Sequence, residues 1–165
     1  MCSTNNYIYI YNIIIMLTEN DILWNLNEPL SQAHMNDYDD DTGEPITKKI
    51  PTSILNIEKN ITDGDTVCIL NNDKEPVITE KITGKTIKAI LEALERGYNK
   101  IIEVSLDNNK IVYNIIGMFL KSADRIRLVE KYENNELVPK DLIGEKYLYC
   151  GHLKKIGKIW IYCRE

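Results

Sequence analysis

Thr83-Gly84-Lys85-Thr86-Ile87-Lys88-Ala89-Ile90-Leu91-Glu92-Ala93-Leu94-Glu95-Arg96-Gly97-Tyr98 is the stretch on which the fold turns. Its apolar positions Ile87, Ile90, Leu91, Leu94 and Tyr98 follow the i, i+3, i+4, i+7 spacing of an amphipathic helix. Lys85, Lys88, Glu92, Glu95 and Arg96 lie largely off that stripe, and Glu92 with Arg96 makes a favourable i, i+4 pair. Thr83 offers a cap and Gly97 an ending, as a glycine at C′ does. The spacing predicts a helix over about 85–97 whose Ile87, Ile90, Leu91 and Leu94 face a sheet.

Outward from this helix the pattern reads mostly as strands. Thr66–Leu70 and Pro76–Glu80 form a hairpin about Asn71-Asn72-Asp73. Downstream, Ile101–Leu106 and Lys110–Leu120 pair about Asn108-Asn109, since Asn tolerates the positive φ of a tight turn. In Arg125–Tyr132, Ile126, Leu128 and Tyr132 share one side, as in a half-buried strand. Pro139–Ile143 makes a turn of helix, and the chain closes on a hairpin of Tyr147–Leu153 and Lys158–Cys163. Upstream, Thr18 caps a short helix over 19–28 that Pro29 stops. Ser31–Lys49 is a polar loop, and Pro51–Ile57 holds one helical turn.

Strands with short links on either side of one strong helix point to an α+β fold. The expected architecture is a mainly antiparallel sheet of about six to seven strands with one principal amphipathic helix packed on it. Residues 1–17 are expected as an N-terminal strand or a non-native extension, 18–50 as short helix and acidic loop, and 51–165 as the α+β core.

The bulk properties narrow the function classes. With 165 residues, 44% hydrophobic and 27% charged, the chain can bury a core without staples. A net charge of −5 argues against a general polyanion binder. It hides an asymmetry: eight acids and no base from Glu19 to Glu44, five bases and no acid from Lys146 to Arg164. Cys2, Cys68, Cys150 and Cys163 show no paired spacing, so free thiols in a reducing, intracellular compartment are expected. No apolar run reaches the length of a membrane helix. The run Tyr7–Leu17 has no basic residue before it and is interrupted by Asn12, unlike a signal peptide. Its β-branched, Tyr-rich make-up suits a strand. Residues 5–15 contain only Asn, Tyr and Ile, all encodable by A/T-only codons, which raises Met16 beside Met1 as the native start.

Four motifs invite chemistry. Thr83-Gly84-Lys85-Thr86 ends like a phosphate loop, but Thr79 stands where that loop needs its first Gly, so a helix start is the expected role. Asp37, Asp39 and Asp41 alternate like calcium ligands, but Thr42 and Lys48 occupy the positions of the required Gly and Glu. Cys150, His152 and Cys163 share a face if the last hairpin pairs about Lys155 and Ile156. Zinc would need a fourth ligand from Cys68 or His34, and no cofactor is expected. Finally, Tyr147, Tyr149, Trp160 and Tyr162 interleave with Lys146, Lys154, Lys155, Lys158 and Arg164. Aromatic faces among bases are what a single-stranded nucleic acid requires, and are equally what a sheet with a core face and solvated lysines presents. His34 and His152 stand in no nucleophile–base context, so no catalytic residue is assigned.

From Lys74 onward, a polar hairpin, the Ile82–Tyr98 segment, several strands and a closing hairpin loosely resemble small uncharacterised α+β proteins of mimivirus-like large DNA viruses. Heavy Asn, Ile and Lys usage agrees with an A/T-rich genome. The resemblance implies a viral source and carries no functional residue. The expected function is a non-enzymatic interaction or structural protein, holding a protein partner or a second copy through a sheet edge or the final hairpin. The alternative is a single-stranded nucleic-acid-binding module using Lys146, Tyr149, Lys154, Lys155, Lys158, Trp160, Tyr162 and Arg164.

Overall fold

Strand β4 (Thr66–Asn72) turns into β5 (Glu75–Lys81) in the antiparallel hairpin that the sequence predicts. The computed structural model to which they belong describes residues 18–72, 75–143 and 147–162, apart from the side chains of 70–72, 75–77, 149 and 162. Tyr7–Leu17, and with it the choice between Met1 and Met16, lies outside the described residues.

The principal helix packs on this hairpin, as its stripe requires. A one-turn helix, α1 (Thr52–Leu55), precedes it, and the principal helix α2 spans Ile87–Tyr98. Ile87, Ile90, Leu91 and Leu94 are all buried, and the helix packs on β4 and β5. Its cap is Thr86, which accepts the amide of Ala89, and not Thr83. Gly97 lies inside the last turn and does not end the helix. A Cβ there would collide with the side chain of Ile69 on β4, so the glycine sets how closely helix and sheet approach. Gly97→Ala should therefore lower stability by about 1–3 kcal/mol, read as a lower urea midpoint. Arg96 bonds the Lys81 carbonyl and pairs with Glu80, leaving Glu92 to Lys88.

Among the described residues, the single sheet of six to seven strands divides into two sheets of four, and four helices replace one principal helix. The first sheet runs β3-β2-β1-β6, entirely antiparallel, with β1 Ile22–Asn25, β2 His34–Tyr38, β3 Pro45–Lys49 and β6 Tyr147–Tyr149. The second runs β5-β4-β8-β7, with β7 Leu153–Ile156 and β8 Ile159–Tyr162, and its β4–β8 pairing is parallel. Ile22, Trp24, Met35 and Leu148 of the first sheet share one core with Val67, Ile69 and Trp160 of the second.

Three segments fold otherwise than their local pattern reads. Thr18 and Asp21 do form a capping box, but the turn lasts only through Asp21 before β1 begins. Ile22, Leu23 and Trp24 are buried in succession, which a strand covered on both faces permits and an amphipathic surface helix does not. The polar segment 31–49 is the β2–β3 hairpin, anchored by Met35 in the core.

The strand expected at 101–106 is irregular chain up to the cap Ser105, and those expected at 110–120 and 125–132 are replaced by helices α3 (Leu106–Gly117) and α4 (Ser122–Glu133). Ser105 caps α3 by accepting the Asn108 amide, and Val112 and Ile116 fall one turn apart on its buried side. In α4 Leu128 and Tyr132 are buried while Ile126 is 61% exposed, which separates helical from alternating geometry. Tyr132 bonds Asn109 through its hydroxyl and meets Tyr113 edge-on at 5.5 Å. Packing between two helices has overridden the β-propensity of Ile and Val here.

Candidate functional site

The final hairpin is shorter than its sequence pattern and begins later. Tyr147–Tyr149 pairs with β1 in the first sheet, Leu148 opposite Trp24. Cys150–His152 then forms a 3-10 turn that carries the chain to the second sheet. Leu153–Ile156 and Ile159–Tyr162 pair with each other, and Leu148 is taken up by Trp24 of β1. Gly157, with φ of +62°, leads the two-residue turn, where a side chain would be strained.

This register assigns each side chain to a face. Lys155 stands opposite Trp160, and Ile156 opposite Ile159. The Lys155–Trp160 face turns toward Asp65, which is fully buried at the start of the second sheet. Lys155 Nζ lies 2.8 Å from Asp65 Oδ2, and the Trp160 indole N–H donates to the same oxygen at 3.3 Å. The Thr62 hydroxyl donates to Oδ1 at 2.8 Å, and the Thr62 amide donates to Oδ2 at 3.1 Å. Lys155 also donates to the Asn60 carbonyl and lies 5.9 Å from the centre of the Trp160 ring. The Lys155 bond, with those of Thr62 and Trp160, holds the Asp65 carboxyl far below the usual carboxylate range, against the opposing effect of burial. Lys158 donates to the Asp63 carbonyl across Gly64. The two bases and the indole thus tie the 60–65 segment to the hairpin, beside an open polar depression of about 540 Å³ that Glu58 and Lys59 also line.

The opposite face carries three isoleucines and one lysine. Ile156 is 63% and Ile159 40% exposed, at the tip of the β7–β8 hairpin, and β7 is an edge strand among the described residues. Ile161 and Lys154, a directly paired couple, continue the same face.

The other candidate residues resolve individually. Lys146, Cys163 and Arg164, with the side chains of Tyr149 and Tyr162, lie outside the described part. Tyr147 is exposed at the start of β6. Cys150 is buried in the 3-10 turn, not on a strand face with His152, and burial pushes its thiol up to about 12. Among the described residues no group of three or more His, Cys, Asp or Glu is placed to hold a metal. Thr86 of the phosphate-loop-like motif caps α2, and the Lys85 carbonyl accepts the Lys59 amide. The acidic run is a hairpin turn: Asp39 Oδ1 accepts the amides of Asp41 and Thr42, and buried Asp37 pairs with Lys48.

Asp65 is the residue that sequence reasoning passes over. Its only local signal is Asp63-Gly64-Asp65 before a strand, and the partners that give it meaning lie far along the chain. Among the described residues no helix is long and apolar enough to cross a membrane. No protein-family model, curated protein or solved structure matches the chain.

Proposed function

We propose that the protein is a non-enzymatic interaction protein that holds a protein partner on the outer face of its β7–β8 hairpin. One observation carries the reading: Ile156 and Ile159 sit side by side and exposed, and β7 is an edge strand among the described residues. The nucleic-acid alternative is the weaker one. Its base-stacking ring, Trp160, is buried, and Lys155 is committed to Asp65. Free, buried Cys68 and Cys150 support a reducing, intracellular setting for the partner. Asn, Ile and Lys usage supports a source in an A/T-rich genome, as of some large DNA viruses, protists or low-GC bacteria.

Substituting Ile156 and Ile159 together by Lys should leave the melting temperature within about 2 °C, since both are exposed. The loss of apolar burial should weaken the partner complex by on the order of 2–3 kcal/mol, roughly 30- to 150-fold. The partner is found by placing a photoreactive residue at position 156 in the native cell. Adducts are expected there, abolished by Ile159→Lys, and absent when the photoreactive residue replaces exposed Ala123 on α4. Adducts formed by purified protein alone would identify the partner as a second copy. Equal labelling from both positions, or none from 156, contradicts the reading.

A further inference from the structure

A second cavity, of about 350 Å³, opens where α2 meets the first sheet and α1. Its floor is apolar: Leu30 and Ala33 from the turn after β1, Ile50 after β3, and Leu55 of α1. Leu30 and Leu55 are only half-buried, so apolar surface is open to a ligand. The wall is fixed, because Glu95 Oε1 accepts the Leu30 amide at 2.8 Å and pins that turn to α2. The rim carries both signs of charge. Exposed Lys49 stands at the end of β3, with Lys88, Glu92 and Glu95 on α2. Lys88 and Glu92 lie 3.8 Å apart and about half-exposed, a pair weak enough for a ligand's own charge to replace either member.

The geometry points to a binding site for a small zwitterion with an apolar side chain, a free amino acid of the size of leucine or phenylalanine. Its side chain rests on the Leu30–Leu55 floor, its ammonium faces Glu92 and Glu95, and its carboxylate faces Lys49 and Lys88. A neutral apolar ligand would leave the charged rim unanswered, and a singly charged one would meet one sign and oppose the other. The volume admits such a molecule whole. The site shares no residue with the hairpin, so its test is independent of the proposed function.

Methyl resonances of Leu30, Ile50 and Leu55 report the test. L-phenylalanine is titrated beside N-acetyl-L-phenylalanine, which keeps only the carboxylate, and L-phenylalaninamide, which keeps only the ammonium. Saturable shifts are expected with a Kd of about 1 mM for the free amino acid, and at least about tenfold weaker binding of each capped form. Glu92→Gln should weaken the free amino acid and the amide while sparing the acetyl form, and Lys49→Met should weaken the free amino acid and the acetyl form while sparing the amide. Both residues are partly or fully exposed, so both variants keep the native spectrum. The proposal is overturned if no saturable shift appears by about 20 mM, if the three compounds bind alike, or if neither substitution changes affinity.

Discussion

Asp65→Asn lowers the melting temperature by on the order of 10 °C, because Lys155 is left with its charge largely buried and its counter-ion gone. The loss should be partly restored by adding Lys155→Met, since removing both partners abolishes the unpaired charge. Thermal unfolding of the two single variants and the double variant measures this coupling. The pH dependence has a definite sign. The Asp65 carboxyl is held below its unfolded value, so its contribution is complete above the ordinary carboxylate range, about pH 4. It is lost as pH falls below that range toward the depressed folded value. The gap in melting temperature between the native protein and Asp65→Asn should therefore be constant near neutrality and narrow on acidification.

Leu91→Ala should cost about 2–5 kcal/mol, the range for a fully buried leucine whose neighbours relax only in part. Leu91 lies with Ile90 and Leu94 where α2 meets β4 and β5, and the cost appears as a lower denaturant midpoint at unchanged slope. A midpoint matching that of a surface substitution on the same helix, such as Lys88→Ala, would remove α2 from the core.

These two substitutions also mark what the sequence discloses and what it hides. Leu91 is legible because helical periodicity is local: Ile87, Ile90, Leu91 and Leu94 lie within little more than two turns, and burial follows the stripe. The β4–β5 hairpin and the turns at Thr52–Leu55 and Pro139–Asp141 are legible for the same reason. In α3 and α4 two local signals disagree with the outcome. Asn108-Asn109 looks like a turn, yet Asn108 donates its amide to the cap of Ser105. Leu128 and Tyr132 satisfy a period of two as well as a spacing of four, and only exposed Ile126 separates the readings. In β1 the Thr18–Asp21 box is a true helix start, overruled within one turn by the pairing of Leu23 with His34 and Tyr149.

The candidate site was half legible. Its location on the last hairpin followed from alternating aromatic and basic residues. The direction of each face did not, because a shift of one residue in register exchanges the faces. The register depends on Gly157 and on the departure of Tyr147–Tyr149 to the first sheet, a tertiary event. Lys155 and Trp160 consequently serve Asp65, and the outer face is left to Ile156 and Ile159.

The division of the hairpin into an anchoring face and a proposed docking face is tested most directly at the Trp160 indole N–H. Its resonance is followed by ¹H–¹⁵N NMR while single-stranded DNA, then RNA, is added at low salt. With the N–H bonded to the buried Asp65 carboxylate, slow solvent exchange and an unmoved resonance at every oligonucleotide concentration are predicted. A rapidly exchanging indole whose resonance shifts saturably with oligonucleotide, and returns as salt is raised, would contradict the account.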